Sequence, residues 1–207
     1  MEFKEINKID GSEFDAAMEI YREAFPASER HPVDTIRERV KSGLSRLYVA
    51  TLNDEVTFLA LLWPLKESNF ILLDYMATKN THRGEGIASA FMKMLRNKSE
   101  NTEKHLILEV ENPRFSDATQ SEKRVKFYKR HGARELENVR YLLPPLEGST
   151  PTEMILMIFP EYKDEKISGR TVKDVIIEIY RELYNRQEDD ALLGTFVHEI
   201  GDTINLV

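Results

Sequence analysis

Residues 72–88, LLDYMATKNTHRGEGIA, join an apolar run to a helix through a turn that contains Gly84 and Gly86. The apolar run predicts a buried strand, and the helix that follows has one apolar face. The residues of that face are Ile87, Phe91, Met94 and Leu95. Glycine lets a ligand approach the backbone closely, and the unpaired N–H groups at the start of a helix attract anions. The stretch therefore predicts either a phosphate-binding turn or a tight turn without a ligand.

Two familiar kinds of phosphate site do not fit this turn. A dinucleotide-binding turn has a third glycine and continues into parallel βαβ units, but Ser89 occupies that position and no such series follows. A P-loop requires Gly-Lys-Ser or Gly-Lys-Thr, which the turn lacks. A phosphate ligand at this turn would have to be of another kind.

Two segments resemble the signatures of a known superfamily. Residues 76–78 together with 81–88 resemble the acetyl-CoA-binding motif of the GNAT N-acetyltransferases, Q/R-x-x-G-x-G/A, with Thr81 in place of Gln or Arg. Residues 127–133, FYKRHGA, are similar to the second signature, F/L-Y-x-x-x-G-F/A, and a predicted strand lies between the two segments. The resemblance covers residues 1–160 and implies an α/β fold whose mixed, mostly antiparallel central sheet is flanked by helices.

The resemblance also implies how the chain binds acetyl-CoA as the acyl donor. The pyrophosphate would lie on backbone N–H groups of the glycine turn, which reorganise little during the reaction. The residues of this turn are Arg83, Gly84, Glu85, Gly86, Ile87 and Ala88. The pantetheine arm would pair with the end of the preceding strand, where an N–H would polarise the thioester carbonyl. The residues of this strand end are Met76, Ala77 and Thr78.

Tyr128 matches the tyrosine that protonates the coenzyme A thiolate in that superfamily, so the resemblance implies a catalytic role for it. A phenol is neutral at pH 7 and can donate a proton over hydrogen-bond distance. The alternative interpretation is that Tyr128 packs in an amphipathic helix together with Val125 and Phe127.

Several carboxylates are candidates for the group that takes the proton of the attacking amine. Glu109 is favoured over Glu111 and Asp74, and the first two alternate onto one face of a predicted strand. Glu29 and Arg30 lie where members of the superfamily often line the acceptor site, and we expect Asp74 to line it too. Ordinary solvated charges on a sheet and in a helix linker are the alternative interpretation.

Composition limits the other classes of function. The 207 residues include no cysteine, which excludes disulfides, thiolate metal sites and a cysteine nucleophile. The five histidines show no metal-ligand spacing, so no metal is predicted. The net charge of −7 argues against nonspecific nucleic-acid binding and suits a cationic amine substrate. With neither a signal peptide nor a membrane-spanning run, the chain is expected to be soluble and cytoplasmic.

The predicted elements are a strand, two helices, three strands, a helix, a strand, a helix and two strands. The ranges of the elements outside the quoted stretch are 3–9, 13–25, 32–43, 46–52, 56–65, 70–78, 105–111, the helix around Tyr128, 134–141 and 153–159. Asn53-Asp54 is predicted as the turn of a hairpin, and Ser12 as the cap of the first helix.

Residues 161–207 are predicted to be a helical extension of a domain that comprises residues 1–160. The first ten of them are polar and typical of a linker, and Thr171 is expected to cap a helix over residues 171–186. The inward-facing residues of that helix are Val175, Ile176, Ile179 and Leu183. We expect the extension to pack on the domain or on a second subunit, as in a homodimer.

Three hypotheses about function follow. The first is an N-acetyltransferase that moves the acetyl group of acetyl-CoA to a primary amine of a small molecule or a protein by direct attack. The second is a non-catalytic acyl-CoA-binding or regulatory module with the same fold, for which the replacement at Thr81 leaves room. The third is a binding protein whose residues 161–207 contact a partner.

Overall fold

The computed structural model describes residues 1–102, 104–115, 117–146, 148–160, 162 and 164–207. Its backbone divides into two compact units. The N-terminal unit consists of Met1–Pro64, Leu73–Lys98 and Leu146–Gly148, and the C-terminal unit consists of Leu65–Leu72, Ser99–Pro145 and Ser149–Val207. Residue 161, at which the predicted extension begins, and residue 163 of the predicted linker lie outside the described residues.

The N-terminal unit combines a sheet with helices. Its elements are β1 (Phe3–Ile6), α1 (Ser12–Ala24), α2 (Val33–Lys41), β2 (Arg46–Leu52), β3 (Glu55–Pro64), the larger part of β4 (Phe70–Thr78) and most of α3 (Ile87–Thr102). The strands lie in the order β1-β2-β3-β4, and β2 is antiparallel to both of its neighbours. The hairpin between β2 and β3 turns at Asn53 and Asp54 as predicted, with φ of 50° and 62°.

One side of this sheet carries a hydrophobic core against α1 and α2. Tyr21 of α1 and Tyr75 of β4 meet edge to face with their ring centroids 4.8 Å apart. Apolar side chains from both helices and from the strands surround them, including Phe14, Met18, Ile36, Val49, Leu59, Leu61 and Ala77. α3 packs on the sheet through a different set of side chains: the ring centroid of its Phe91 lies 5.0 Å from that of Phe58 on β3. The core therefore holds β4, the strand that leads into the glycine turn, firmly in place.

Two details of these helices differ from the predictions. Ser12 is the first residue of α1 and not its cap: Gly11 occupies the cap position, and its carbonyl oxygen accepts the N–H groups of Phe14 and Asp15. In α3, Met92 is fully buried and Met94 only half-buried, because the helix packs over a wider stripe than the predicted one.

The C-terminal unit is built around one long strand, β8, which is antiparallel to β5, β6 and β7. Its elements are β5 (His105–Glu111), α4 (Ala118–Arg130), β6 (Arg134–Glu135), β7 (Tyr141–Leu143), β8 (Thr152–Phe159), β9 (Lys166–Ser168), α5 (Gly169–Tyr184), α6 (Ala191–Gly194) and β10 (Thr203–Asn205). The single strand predicted over residues 134–141 is divided into β6 and β7, because Asn138 adopts a left-handed conformation with φ of 60°.

The last described residues of the chain belong to the C-terminal unit. β10 pairs with β9, and Val207 exchanges backbone hydrogen bonds of 2.8 and 3.0 Å with Glu135. α5 begins at Gly169 rather than after Thr171, because the Gly169 N–H donates to the Asp202 carbonyl oxygen at 2.8 Å. The apolar face of α5 is buried through Val172, Val175, Ile176, Ile179 and Leu183.

Both units are mixed α/β structures with mostly antiparallel strands and flanking helices, which confirms the predicted fold class. α5 is the predicted helix near the C-terminus. Among the residues that the structure describes, no helix is long and apolar enough to cross a membrane.

Candidate functional site

Gly84 and Gly86 have backbone conformations that other residues rarely adopt, with φ of 86° and 80°. A Cβ atom built on either residue would have no heavy atom within 4 Å. Glycine is therefore required here by the backbone conformation and not by crowding within the protein. The open space beside the turn allows a ligand to lie directly against the backbone.

The turn presents backbone N–H groups at the start of α3. The Gly86 carbonyl oxygen accepts the N–H of Ala90 at 2.9 Å as the helix begins. Within the described parts of the chain, no backbone carbonyl accepts the N–H groups of residues 84–87. Residues 84–86 are exposed, whereas Ile87 is buried. Unpaired donors and the dipole of a long helix together make this turn a candidate anion site.

The residues that flank the turn differ in their surroundings. Ala77 is buried, and Met76 and Thr78 are half-buried at the end of β4. Arg83 is exposed, and its Nε donates to the Thr78 carbonyl oxygen at 3.4 Å. Lys79 forms an ion pair with Glu55, so its charge is compensated. Arg83 therefore supplies an exposed positive charge beside the anion site.

Asp74 lies buried close to Arg39 in the N-terminal unit. Its side chain is 7% exposed, and its Oδ2 lies 3.9 Å from Nη1 of Arg39. Burial raises the pKa of Asp74 from 3.8 to about 7, although the charge of Arg39 opposes this rise. The guanidinium of Arg39 also lies over the Trp63 ring, 5.0 Å from its centroid. Asp74 can therefore gain or lose a proton near neutral pH.

Two tyrosine hydroxyls hold the loop between α1 and α2. The Tyr75 hydroxyl donates to the Glu29 carbonyl oxygen at 3.1 Å, and the Tyr21 hydroxyl donates to the His31 carbonyl oxygen at 3.2 Å. Burial and, to a smaller extent, the charge of Arg39 lower the pKa of His31 to about 4, so its imidazole is neutral at pH 7. These tyrosines and His31 were not among the predicted site residues. Tyr75 lies in an apolar run and Tyr21 on the apolar face of a predicted helix, whereas His31 lies in a polar loop, and none of these positions signals a role in the site.

The two predicted acceptor-site residues of this loop are placed differently. Nη1 of Arg30 donates to the carbonyl oxygens of Arg22 and Phe25 at 2.8 and 3.0 Å, and so closes the end of α1. The side chain of Glu29 is exposed. An open cavity of about 550 Å³ lies beside the loop and is lined by Arg22, Arg30, His31, Asp34 and Arg37 among others.

Tyr128 lies in the last turns of α4, in the C-terminal unit. Asp117 caps this helix by accepting the N–H groups of Thr119 and Gln120 at 3.0 and 3.4 Å. Across the described residues, the Tyr128 hydroxyl forms no hydrogen bond. Burial raises the pKa of Tyr128 to about 12, while the charge of Arg124 opposes the rise. Tyr128 is therefore a neutral phenol at pH 7 whose donor is available to a ligand.

Glu109 and Glu111 have different partners, although both lie on β5. Glu109 accepts hydrogen bonds from the hydroxyls of Tyr141, through Oε1, and of Tyr184, through Oε2 at 3.4 Å. Oε2 of Glu111 accepts the Ser121 hydroxyl at 3.2 Å and lies 3.8 Å from Arg124 of α4. The two tyrosines are far from Glu109 in sequence, and nothing in the sequence singled them out.

The predicted site residues thus fall into separate groups. The glycine turn, Met76–Thr78, Asp74, Glu29 and Arg30 belong to the N-terminal unit, and Glu109 and Tyr128 belong to the C-terminal unit. No group of His, Asp and Glu in the described chain has the arrangement of a metal site.

Residues 43–132 match a family model described as an acetyltransferase (GNAT) domain. This segment of the chain is similar to a GNAT domain. The range that matches the GNAT domain includes the glycine turn, Asp74, Glu109 and Tyr128. Glu29 and Arg30 lie before it, and α5 lies after it.

Several known proteins are similar to this chain in sequence or in fold. YjbC, a candidate acetyltransferase of Bacillus subtilis (strain 168), is 28% identical over 147 residues, which are 60% of this chain and 74% of YjbC. A candidate GNAT-family acetyltransferase from Bacteroides thetaiotaomicron has a similar fold, with a TM-score of 0.74 and 22% identity over 90% of this chain and 100% of that one. The structure of yncA from Salmonella typhimurium with its cofactor acetyl-CoA has a TM-score of 0.55 and 13% identity over 79% of this chain and 96% of its own. The two solved structures confirm the predicted fold.

Proposed function

We propose that this protein is an acetyltransferase of the GNAT type, which transfers the acetyl group of acetyl-CoA to a primary amine by direct attack. The observation that carries the proposal is the exposed turn with two left-handed glycines and unpaired N–H groups at the start of α3. In the reaction, the neutral amine nitrogen forms a bond with the thioester carbonyl carbon, and the carbon–sulfur bond breaks. One proton leaves the amine, and the departing thiolate receives one.

The glycine turn would hold the donor's pyrophosphate. Its N–H groups in residues 84–88 and the exposed guanidinium of Arg83 would supply positive charge without burying a cation, whereas the backbone N–H of Arg83 already donates to the Asn80 carbonyl oxygen at 3.4 Å. A Cβ at residue 84 or 86 would enter the open space beside the turn, where the phosphate oxygens would bind. The end of β4, at Met76, Ala77 and Thr78, would pair with the pantetheine arm, and one of its N–H groups would polarise the carbonyl.

Two side chains would carry out the proton transfers of the reaction. The Tyr128 hydroxyl, neutral and without a hydrogen bond among the described residues, would protonate the thiolate. Glu109, whose carboxylate is held by hydroxyl donors, would take the proton of the attacking amine, directly or through a water molecule. General acid–base steps of this kind typically contribute about 10²-fold or more to the rate.

The acceptor would be a small-molecule amine or an amino group of a protein. The exposed carboxylate of Glu29, the buried Asp74 and the overall charge of −7 all favour a cationic group. Arg30 would contribute by holding the shape of the loop, since its guanidinium is bonded to carbonyl oxygens of that loop.

The test is thiol release from acetyl-CoA by the purified protein in the presence of a panel of primary amines, with mass spectrometry of the acetylated product. We expect release that depends on one class of amine. A second function, that of a non-catalytic acyl-CoA-binding module, is favoured by Thr81, whose hydroxyl lies 2.9 Å from Nδ1 of His82. Tight binding of acetyl-CoA without thiol release from any amine would support that module, and absence of binding would contradict both functions.

A further inference from the structure

Glu109 is held by tyrosines from two different elements of the C-terminal unit. Tyr141 lies on β7 and is fully buried, and its hydroxyl donates to Oε1 of Glu109. Tyr184 is the last residue of α5, and its hydroxyl donates to Oε2 at 3.4 Å. Because each oxygen has its own donor, the plane of the carboxylate is defined from both sides.

We infer that Tyr184 is a positioning residue that holds Glu109 in the orientation needed to take the proton of the acceptor amine. The inference rests on the proposed function and extends it, because it makes α5, which lies outside the matched GNAT range, a part of the acceptor side of the reaction.

The two donors differ in a way that suits this role. Burial and the neighbouring charge of Glu109 raise the pKa of Tyr141 well above its ordinary value, so Tyr141 stays a neutral donor throughout the working pH range. Tyr184 and Glu109 are both half-buried, and the bond between them is the longer one. A carboxylate accepts about four hydrogen bonds, so Oε2 can accept an ammonium N–H beside that of Tyr184.

The end of α5 is itself fixed, which gives Tyr184 a defined position. Asn185 ends the helix in the left-handed conformation, with φ of 52°, and the N–H of Arg186 donates to the Tyr180 carbonyl oxygen at 3.0 Å. Arg186 then forms a 2.8 Å ion pair with Asp190, the residue that caps α6. Because the end of α5 is fixed in this way, the Tyr184 hydroxyl loses little conformational entropy when the substrate binds.

In the proposed step, one N–H bond of the ammonium group breaks and its proton moves to Oε2 of Glu109. The lone pair thus released forms the bond to the acetyl carbon, the carbon–sulfur bond breaks, and the sulfur that leaves takes the proton of Tyr128. The nitrogen of the new amide loses a second proton, which restores the Tyr128 hydroxyl, and the proton on Glu109 passes to solvent. Tyr184 does not exchange a proton. It keeps Oε2 directed at the nitrogen.

The experiment measures steady-state kinetics of full-length variants with an amine that the panel identifies. Tyr184→Phe keeps the ring and removes the donor, and we expect kcat to fall about tenfold while KM for acetyl-CoA changes less than about twofold. Glu109→Gln should lower kcat about 100-fold or more. The double variant should be no slower than Glu109→Gln, since the two residues act as a unit.

Tyr48→Phe is the matched control, because it also removes a tyrosine hydroxyl that donates to a glutamate, Glu5, at 2.8 Å. We expect it to keep wild-type kinetics. Wild-type kinetics of Tyr184→Phe beside an inactive Glu109→Gln would overturn the positioning role and leave the proposed function intact. Equal losses in Tyr184→Phe and Tyr48→Phe would also overturn it. Failure of the wild-type protein to release thiol would instead refute the proposed function.

Discussion

The hydroxyl of Tyr128 makes no hydrogen bond within the described structure, so its removal leaves no protein group without a partner. We therefore expect Tyr128→Phe to fold with wild-type stability and to lower kcat about 100-fold, because the thiolate loses its proton donor. Binding of acetyl-CoA, measured by titration, should stay within about twofold of the wild type. Val125→Ala on the same helix serves as a control, and a Tyr128→Phe variant with unchanged kcat would remove Tyr128 from the mechanism.

Asp74 makes the stability of the protein depend on pH. Its pKa is about 7 in the folded chain and 3.8 ordinarily, so between these values the folded chain keeps a proton that the unfolded chain has lost. The contribution of Asp74 to the free energy of unfolding is therefore present below pH 4 and is lost as the pH rises through 7. In Asp74→Asn this contribution is absent.

We expect the free energy of unfolding of the wild type, minus that of Asp74→Asn, to fall by about 2–4 kcal/mol between pH 4 and pH 8. Loss of the partner of Arg39 adds an offset that does not vary over this range, because the guanidinium stays charged. Urea unfolding at several pH values measures the difference. Parallel pH profiles for the two proteins would show that Asp74 titrates normally in the folded state.

For individual residues, the sequence predicts the proposed chemical role better than it predicts which side chains lie nearby. Gly84, Gly86 and Tyr128 are recognisable because their proposed roles depend on residue type and spacing. Both glycines have positive φ, and the Tyr128 hydroxyl makes no hydrogen bond among the described residues, which is compatible with those roles. The partners of Glu109 and Asp74 could not be predicted. Tyr184 and Arg39 reach them through contacts between segments distant in sequence, and local patterns carry no information about such contacts.

In the proposed function, binding of acetyl-CoA depends on the glycine turn. In Gly86→Ala the methyl group enters open space but the residue must keep φ near 80°, which we expect to lower stability by about 1 kcal/mol. The methyl group and any relaxation of the turn should also raise the Kd for acetyl-CoA about tenfold or more, since the N–H groups move away from the phosphate position.

Gly43→Ala is a matched control for this prediction. Gly43 has φ of 75° and also no heavy atom within 4 Å of a built Cβ, but it follows α2 and not the turn. We expect an equal loss of thermal stability and an unchanged Kd for acetyl-CoA. If both variants weakened acetyl-CoA binding equally, backbone strain at a positive φ would explain the weaker binding, and the position of Gly86 in the turn would not.

Elements with a clear periodic pattern have the predicted limits, and those shaped by other segments do not. β4 and β5 occupy residues 70–78 and 105–111 as predicted, because each is an apolar run bounded by polar residues. The strand predicted over residues 134–141 is interrupted at Asn138, and α5 starts before its predicted cap. In α5 the backbone pairing of Gly169 with residue 202 outweighs the capping preference of Thr171.

Backbone pairing of residues 203–207 completes the C-terminal unit. β10 pairs with β9, and Val207 pairs with Glu135 beside β6. The same segment carries α5, whose buried apolar face and whose Tyr184 connect it to the core of the unit and to Glu109. Residues 164–207 therefore contribute to the stability of this unit and, by our inference, to its chemistry.

Gly169 is where this contribution can be tested with one substitution. A Cβ on Gly169 would lie 1.7 Å from the carbonyl oxygen of Gly201, a backbone atom that cannot move without separating α5 from the segment before β10. We expect Gly169→Ala to lower the free energy of unfolding by about 3 kcal/mol or more, and to lower acetyl transfer as α5 shifts.

Gly194→Ala, in α6 of the same unit, is the control for that substitution. A Cβ there meets no heavy atom within 4 Å, so the change should be neutral or should stabilise the protein by about 0.5 kcal/mol through the unfolded state. Thermal unfolding of both variants measures whether the close backbone approach at Gly169 stabilises the fold. Amine-dependent thiol release by both variants measures whether α5 also contributes to acetyl transfer. If Gly169→Ala were as stable as Gly194→Ala, the close backbone approach would not hold the C-terminal segment. If it were unstable but fully active at low temperature, α5 would support the fold without orienting Glu109.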